Sequence, residues 1–315
     1  MLAVTIREKQ LVIAEHAEPL PGAGEVLVQV RAAGLNGADQ LQLRGAYPPP
    51  RGSPLDIPGL ELAGEVVARG PGAERFEGGD RVMAIVGGGA QAELCVVHER
   101  QLMPVPATLD WTQAGGLPET FTTADDALFA QAGLQLGERV LISGGAGGVG
   151  TAAIQLAKAA GAHVTASVRD QGRRKEVAAL GADVVCAPNE SEALGPYDVL
   201  LELIGAPNLD ANISALASGA RVVVIGVGAG FRSELNLLSL MGSRASIRGS
   251  TLRARPLEEK AAAARALEKN VLGGFDDGTF VVPIHQTFPL DQAAAAYESF
   301  ASGGKLGKIV LVTGQ

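Results

Sequence analysis

The residues with the clearest chemical capacity form one short run, Gly145-Ala146-Gly147-Gly148-Val149-Gly150. It fits the pattern G-x-G-x-x-G. It follows the apolar run "RVLIS" and leads into "TAAIQLAKAAGA", so it is predicted to join a buried strand to a helix. Glycine permits a tight turn, lets backbone N–H groups approach an anion, and lets the helix sit close to the strand. A helix beginning near Val149 points its positive end at whatever is bound. The ligand this suits is the pyrophosphate of a dinucleotide, and the strand expected over residues 163–168 supplies the context that the motif requires. The alternative is a glycine-rich turn with no ligand.

Which dinucleotide depends on the tip of that next strand. A site for NAD places Asp or Glu there to hold the ribose 2′-hydroxyl. Here the position is Ser167, followed by Arg169, Arg173, Arg174 and Lys175, while Asp170 lies past the tip. A hydroxyl with guanidinium groups suits a 2′-phosphate, so the cofactor is read as NADPH over NADH. A solvated helix start would account for some of these cations but not for the missing acid.

Metal chemistry has little to build on. The chain has two cysteines, Cys95 and Cys186, and four histidines, His16, His98, His163 and His285, in no ligand spacing. A four-cysteine zinc site is impossible and no metal is expected. His98 and His163 sit in strand-like runs and read as core or rim residues. Without a Lewis acid, the accessible hydride acceptors are already electron-poor, namely quinones and carbonyls conjugated to a C=C bond. The cofactor carries the hard step and the protein supplies position and a dry pocket.

The elements that must place these residues fall into two groups. The 315 residues suit about two domains. Forty-two glycines signal many tight turns, and aromatics are only 4% of the chain, so packing rests on Ala, Val, Leu and Ile. Residues 1–118 read as β-rich, with short Val-rich strands at 25–36, 61–70, 80–89 and 92–99 punctuated by Gly, Pro and Asp. From 119 to 280 near-continuous apolar runs alternate with helical stretches that end in Gly-Ala. That alternation predicts a doubly wound parallel sheet of α/β class. Past Gly249 the order helix, strand ("TFVVPI"), helix, strand ("KIVLVTG") is expected, with residues 281–315 returning to the first domain.

The net charge of −8 makes nucleic acid a poor partner. The N-terminus has no basic region ahead of an apolar core, and no apolar run approaches the length of a membrane span, so neither secretion nor membrane insertion is expected. Both cysteines lie in apolar runs and read as buried, reduced thiols of a cytoplasmic protein.

Several stretches resemble a known family. They are "GLNGADQLQLRGAYPPP" (34–50), "IPGLELAGEV" (57–66), "LPETFTTADDALF" (117–129), the glycine loop with its helix, "GSTLRAR" (249–255) and "GKIVL" (307–311). Across essentially the whole chain the sequence resembles the zinc-free medium-chain dehydrogenase/reductases of the NADPH:quinone oxidoreductase (zeta-crystallin-like) type. Zinc-dependent relatives carry Gly-His-Glu where this chain has Gly59-Leu60-Glu61, and a cysteine near Asn36-Gly37-Ala38-Asp39. The resemblance implies a GroES-like catalytic domain, a Rossmann domain with the active cleft at their junction, a small-molecule quinone or enone substrate, and a homodimer formed through Rossmann sheet edges. It implies that Asn36 and Thr123 lie near the nicotinamide and that Tyr47 faces the substrate. It further implies that Gly147, Gly148 and Val149 contact the pyrophosphate, that Ser167 and Arg173 hold the 2′-phosphate, and that Ile225, Gly226 and Val227 line the nicotinamide side.

Two departures stand out. Asp125 replaces the family's aromatic residue, either making the pocket mouth more polar or capping a helix, since Thr122 with Asp125, or Thr123 with Asp126, has capping-box spacing. Capping is the favoured reading. Pro188 replaces a tyrosine that meets the adenosine end in many relatives. Asn36 could instead bond loop backbone, Tyr47 could be a packing residue or a proton donor, and Asp39 reads as a loop-holding group.

Overall fold

The structure, a computed structural model, describes residues 1–314. The chain forms two compact units. One comprises Met1–Thr122, Leu252–Gly303 and the tail from Lys308; the other comprises Thr123–Thr251 with Gly304–Gly307.

The second unit is built on a six-stranded sheet whose neighbours are all parallel. Its spatial order is Val184–Cys186, His163–Ser167, Arg139–Ser143, Tyr197–Glu202, Leu216–Val224 and Ser246–Gly249. The chain enters at Arg139–Ser143, builds outward on one side, then crosses and builds outward on the other. The direction reverses beside that first strand, which is where ligands bind in open α/β sheets. Val140, Leu141, Ile142, Val199, Leu200 and Leu201 are buried without exposure, as unbroken apolar strands covered on both faces must be.

The first unit carries a seven-stranded sheet and a separate hairpin, Leu2–Arg7 with Gln10–Glu15. Along the sheet lie Ile284–Pro289, Lys308–Val312, Glu25–Gly34, Glu61–Arg69, Arg81–Ile85 and Leu102–Pro104, with Leu94–His98 also paired to Glu25–Gly34. Alternate residues Val26, Val28 and Val30 of the central strand point into a core with Leu62, Val66, Val82 and Val97. The expected return of the tail is found: Val310–Val312 pairs antiparallel with Ala32–Gly34.

Three expectations are corrected. "TFVVPI" is not a strand; burial does alternate over Phe280, Val281 and Val282, but ladder pairing begins only at Ile284, opposite Lys308. Residues 252–280, assigned from the sequence rhythm to the dinucleotide-binding part, pack in the first unit. There Phe275 meets Phe121 edge-on at 4.9 Å and Phe280 at 5.9 Å, and its carbonyl accepts from Thr108 Oγ1 at 3.0 Å. Asp125 caps no helix start. The helix runs Pro118–Asp125 and continues as a wider π turn over Asp126–Gln131, so Thr122, Thr123 and Asp125 are interior to it. A capping box does exist one helix earlier, where the Asp110 carboxylate accepts from Gln113 N at 2.8 Å and the Gln113 amide accepts from Asp110 N at 3.2 Å.

The aromatic triad makes Phe275 a keystone of the first unit. Phe275→Ala is expected to cost about 3–5 kcal/mol, read as a lower urea midpoint with an unchanged slope; a midpoint equal to that of the parent protein would show that the triad contributes no net stability.

Candidate functional site

In the second unit, strand Arg139–Ser143 ends and Gly147 becomes the N-cap of helix Gly148–Ala159. No side chain caps this helix, so the first-turn N–H groups, beginning with Gly148 and Val149, are left for a ligand. Gly150 is forced by packing, since a Cβ there would collide with the Gly144 carbonyl. Gly145 has Ala166 at 2.9 Å from the same hypothetical atom. At Gly147, by contrast, a Cβ would have the Gly144 carbonyl at 3.6 Å as its single near neighbour. The loop is therefore closed on the protein side at Gly145 and Gly150 and open at Gly147, a cradle that fits a pyrophosphate.

Ser167 ends the next strand and is buried, and its carbonyl accepts from Gly144 N at 3.3 Å and Gly145 N at 3.0 Å, which binds the strand tip to the loop. Arg169 is exposed. Arg173 is half-buried and partly engaged, with Nη1 on Glu176 at 3.0 Å and Nε on the Gly304 carbonyl at 2.9 Å. Arg174 Nε turns back to the Val168 carbonyl at 3.2 Å. Gly307 N donates to the Ala146 carbonyl at 2.9 Å, so the short segment 304–307 touches both the glycine loop and Arg173. The N–H groups of Ile225 and Gly226 both donate to the Glu202 carbonyl, at 3.0 and 3.1 Å, and Val227 beyond them is exposed. Thr123 is buried, and its Oγ1 has no hydrogen-bond partner among the described residues.

The first unit holds a different kind of site, a buried knot of charges. Lys308 Nζ lies 2.6 Å from Glu61 Oε1, 2.6 Å from the Leu35 carbonyl and 2.8 Å from Asn36 Oδ1. Three oxygens satisfy the three N–H bonds of the ammonium. Asn36 Nδ2 donates to Glu61 Oε1 at 2.9 Å and to the Gly34 carbonyl at 3.2 Å, which fixes the amide at both ends. Glu61 Oε2 accepts from Glu119 N at 2.8 Å. Gly34 is required here, because a Cβ would collide with the Glu61 carboxylate. Asp39 holds the loops together as expected, accepting from Asn36 N at 2.8 Å and from Gly59 N at 3.2 Å. Beside it, Arg253 is buried. It donates to the Gly87 carbonyl at 2.8 Å, the Tyr47 carbonyl at 3.1 Å and Gln42 Oε1, with its guanidinium 5.1 Å from the Tyr47 ring centre. Tyr47 itself is half-buried.

Burial dominates the electrostatics of this knot. It pushes the Asp39 carboxyl up to about 6 against the lowering effect of its backbone donors and of Lys308 and Arg253. It pushes Glu119 up to about 8, helped by the neighbouring Glu61 charge. Burial lowers the half-buried Lys260.

The candidates named from the sequence thus fall into both units: Asn36 and Tyr47 in the first, Thr123 and all of the dinucleotide residues in the second. Lys308, Glu119 and Arg253 went unassigned, although each lies in a quoted stretch, and Glu61 was named without a role. The available signal was charge in an apolar setting: Glu61 opens "ELAGEVV" and Lys308 opens "KIVLV". Their pairing joins distant parts of the chain and has no local signature. Among the described residues, no group of three or more His, Cys, Asp or Glu side chains could hold a metal ion.

Residues 22–107 match the family model described as "Alcohol dehydrogenase GroES-like domain" and residues 148–269 the model "Zinc-binding dehydrogenase". A rat quinone oxidoreductase is 32% identical over 306 residues, which cover 93% of this chain and 91% of that protein. A solved alcohol dehydrogenase superfamily protein from Novosphingobium aromaticivorans superposes with a TM-score of 0.89 at 32% identity, covering 99% of both chains. A solved NAD-dependent alcohol dehydrogenase gives the same TM-score at 29% identity over the whole of both chains.

Removing one partner of a buried ion pair strands the other. Lys308→Met is therefore expected to destabilise by about 3–5 kcal/mol, and Lys308→Met with Glu61→Gln to recover part of that loss. Guanidinium unfolding of the parent and both variants reads this directly; equal stability of the single variant and the parent would mean that the pair is not desolvated.

Proposed function

The chain belongs to the medium-chain dehydrogenase/reductase family and is an oxidoreductase, and on that premise we propose that it transfers hydride from NADPH to a quinone or another activated carbonyl acceptor, without a metal. The observation that carries this reading is the helix start at Gly147, capped by no side chain and followed at the next strand tip by Ser167 and the arginines instead of an acid. Gly145, Gly147, Gly148, Val149 and Gly150 would cradle the pyrophosphate. Ser167, Arg169 and the remaining N–H groups of Arg173 would take the 2′-phosphate. When bound, the reduced nicotinamide supplies the hydride.

The chain's own residues supply position and charge. The buried, unpartnered hydroxyl of Thr123 is the group best suited to accept or donate a hydrogen bond on the nicotinamide side, and the exposed Val227 with Ile225 and Gly226 offers an apolar edge. Asn36 has both of its amide hydrogens committed, to Gly34 and Glu61, and so acts as a fixed dipole and not as a proton carrier. The donor set around it does not suit a divalent metal. The place of a ligand is taken by Leu60, and a cation already sits there, the Lys308 ammonium at 2.6–2.8 Å from its oxygens. A second cation would meet that charge at short range.

We also read the protein as a homodimer. Ser246–Gly249 is an edge strand of the parallel sheet with every residue exposed. In the same unit Phe231, Leu238 and Met241 are 80%, 78% and 70% exposed, more apolar surface than scattered side chains of a monomer explain.

Stopped-flow oxidation of NADPH against a panel of quinones and enals tests the activity. Turnover is expected with at least one acceptor; tight NADPH binding without any oxidation would overturn it in favour of a non-catalytic binding role. In the same assay Arg169→Ala and Arg173→Ala are expected to weaken NADPH more than NADH, by about 1.5–3 kcal/mol where a charge-assisted bond is lost. Equal losses for both cofactors would remove the 2′-phosphate role. For assembly, Leu238→Glu is expected to yield monomers by light scattering at concentrations where the parent is dimeric, and a monomeric parent would end the dimer reading.

A further inference from the structure

At the carboxyl end of the parallel sheet, one buried acidic residue holds two turns at once. Glu202 ends strand Tyr197–Glu202 and lies in register with Ser143, the last residue of the strand that leads into the glycine loop. These two strand ends flank the place where the sheet reverses direction. The Glu202 side chain has no exposure. Its Oε1 accepts from Ile204 N at 2.7 Å and from Gly205 N at 2.8 Å. Its main-chain carbonyl accepts from Ile225 N at 3.0 Å and from Gly226 N at 3.1 Å. One residue therefore fixes the backbone of both turns, the first through its side chain and the second through its main chain.

The two turns are also locked to each other and to the glycine loop. Ala229 N donates to the Ile204 carbonyl at 3.0 Å, and Ala206 N to the Gly230 carbonyl at 3.0 Å. A Cβ at Gly226 would collide with the Leu203 carbonyl, and a Cβ at Gly205, where φ is +105°, would collide with the Gly230 carbonyl. A Cβ at Gly144 would come within 2.8 Å of Ile204 Cδ1, so the first turn packs directly against the start of the glycine loop.

A buried carboxylate is costly unless its surroundings favour the charge. Here two backbone N–H groups point at one oxygen, and helix Ala206–Ser214 starts directly after them, which puts the carboxylate at its positive end. Behind it, Asn212 Nδ2 lies 3.5 Å from Glu202 Oε2, Asn212 Oδ1 accepts from Ser191 Oγ at 2.8 Å, and the Ser191 carbonyl accepts from the Tyr197 hydroxyl at 2.8 Å. Asn212, Ser191 and Tyr197 are all buried, so the carboxylate is backed by a polar chain away from solvent. The two helix starts on this sheet edge thus differ. At Gly147 no side chain covers the N–H groups and an anion can be received; at Gly205 the protein's own carboxylate is already in place.

We propose that Glu202 is the positioning residue of the nicotinamide half of the cofactor site. It holds Ile204–Gly205 and Ile225–Val227 in the shape that receives the uncharged reduced ring, and its charge turns anionic groups away from these turns and toward the glycine loop. It acts through the two turns and touches no reacting atom. This rests on the dinucleotide reading given above.

NADPH spans both halves of such a site, whereas adenosine 2′,5′-bisphosphate carries the adenosine and the 2′-phosphate but no nicotinamide. Calorimetric titration of each ligand into the parent, Glu202→Ala and Glu202→Gln reads the halves separately. Glu202→Ala is expected to weaken NADPH about tenfold and to leave the affinity for the bisphosphate unchanged. Glu202→Gln keeps an oxygen able to accept from Ile204 and Gly205 and is expected to recover most of the loss. Equal losses for both ligands in Glu202→Ala would reveal a general disturbance of the unit and overturn the proposal. Unchanged NADPH affinity in that variant, or a Gln variant as weak as the Ala one, would overturn it too. Should Glu202→Ala not fold, hydrogen exchange of the cofactor-free parent decides. The amides of Ile204, Gly205, Ile225 and Gly226 are expected to be protected before NADPH is added, and unprotected exchange there would refute the role. A parent protein that binds neither ligand would instead defeat the dinucleotide reading, and the exchange pattern would still report whether Glu202 holds the two turns.

Discussion

An ammonium group inside a sheet core has to be wrapped in oxygens, and much of the first unit can be read as the wrapping of Lys308. Moving such a charge out of water costs several kcal/mol unless every N–H finds an acceptor. The acceptors are a carboxylate, a side-chain amide and a main-chain carbonyl drawn from two separate segments, Leu35–Asn36 and Glu61. Each is held in turn: Asn36 by Asp39 and Gly34, Asp39 by Gly59, and Glu61 by the start of the helix at Pro118. Loops that would otherwise be loose are therefore pinned by one cation, and side chains at that place keep their directions without help from solvent.

The second unit works on the opposite plan. Its candidate anion site is made of backbone, with side chains absent where they would be in the way. Gly150 lets the helix settle on the loop, and Gly147 leaves the face toward the ligand bare. The specificity we propose would lie at one strand tip, where Ser167 ties itself to the loop through its carbonyl and Arg173 is partly neutralised by Glu176 and anchored to Gly304. A pre-anchored guanidinium loses less freedom on binding than a free one, which favours recognition by geometry over recognition by charge alone.

Most of the second unit was legible in the sequence because its signals are local. Strand, glycine loop and helix follow one another within a few turns, and unbroken apolar runs identify strands covered on both faces. Four strands of the first unit, Glu25–Gly34, Glu61–Arg69, Arg81–Ile85 and Leu94–His98, were legible for the same reason, and so was the return of the tail. Other features were not. The hairpin Leu2–Glu15 turns through Glu8 and Lys9, both with positive φ, and carries no glycine to mark it. "TFVVPI" has the composition of a strand, but its Phe280 joins an aromatic cluster with Phe121 and Phe275. The capping reading of Thr122 and Asp125 matched a spacing that recurs inside helices as readily as at their starts. The charge knot was out of reach because a pairing such as Glu61 with Lys308 is a fact of topology, and nothing in either neighbourhood names the other.

The interleaving of the two units along the chain bears on how the protein is made. A ribosome releases Glu25–Gly34 and Glu61–Arg69 long before Lys308–Val312, the strand that closes one side of their sheet. During that interval the second unit's central segment can already be complete, while Glu61 has no counter-ion and its sheet keeps an open edge. The nascent first unit must wait in an unfinished state, with Glu61 solvated or protonated, until Lys308–Val312 emerges and slides between Ile284–Pro289 and Glu25–Gly34. Shortening the chain by its last strand would thus remove both a sheet partner and the charge that makes the interior of that unit tolerable.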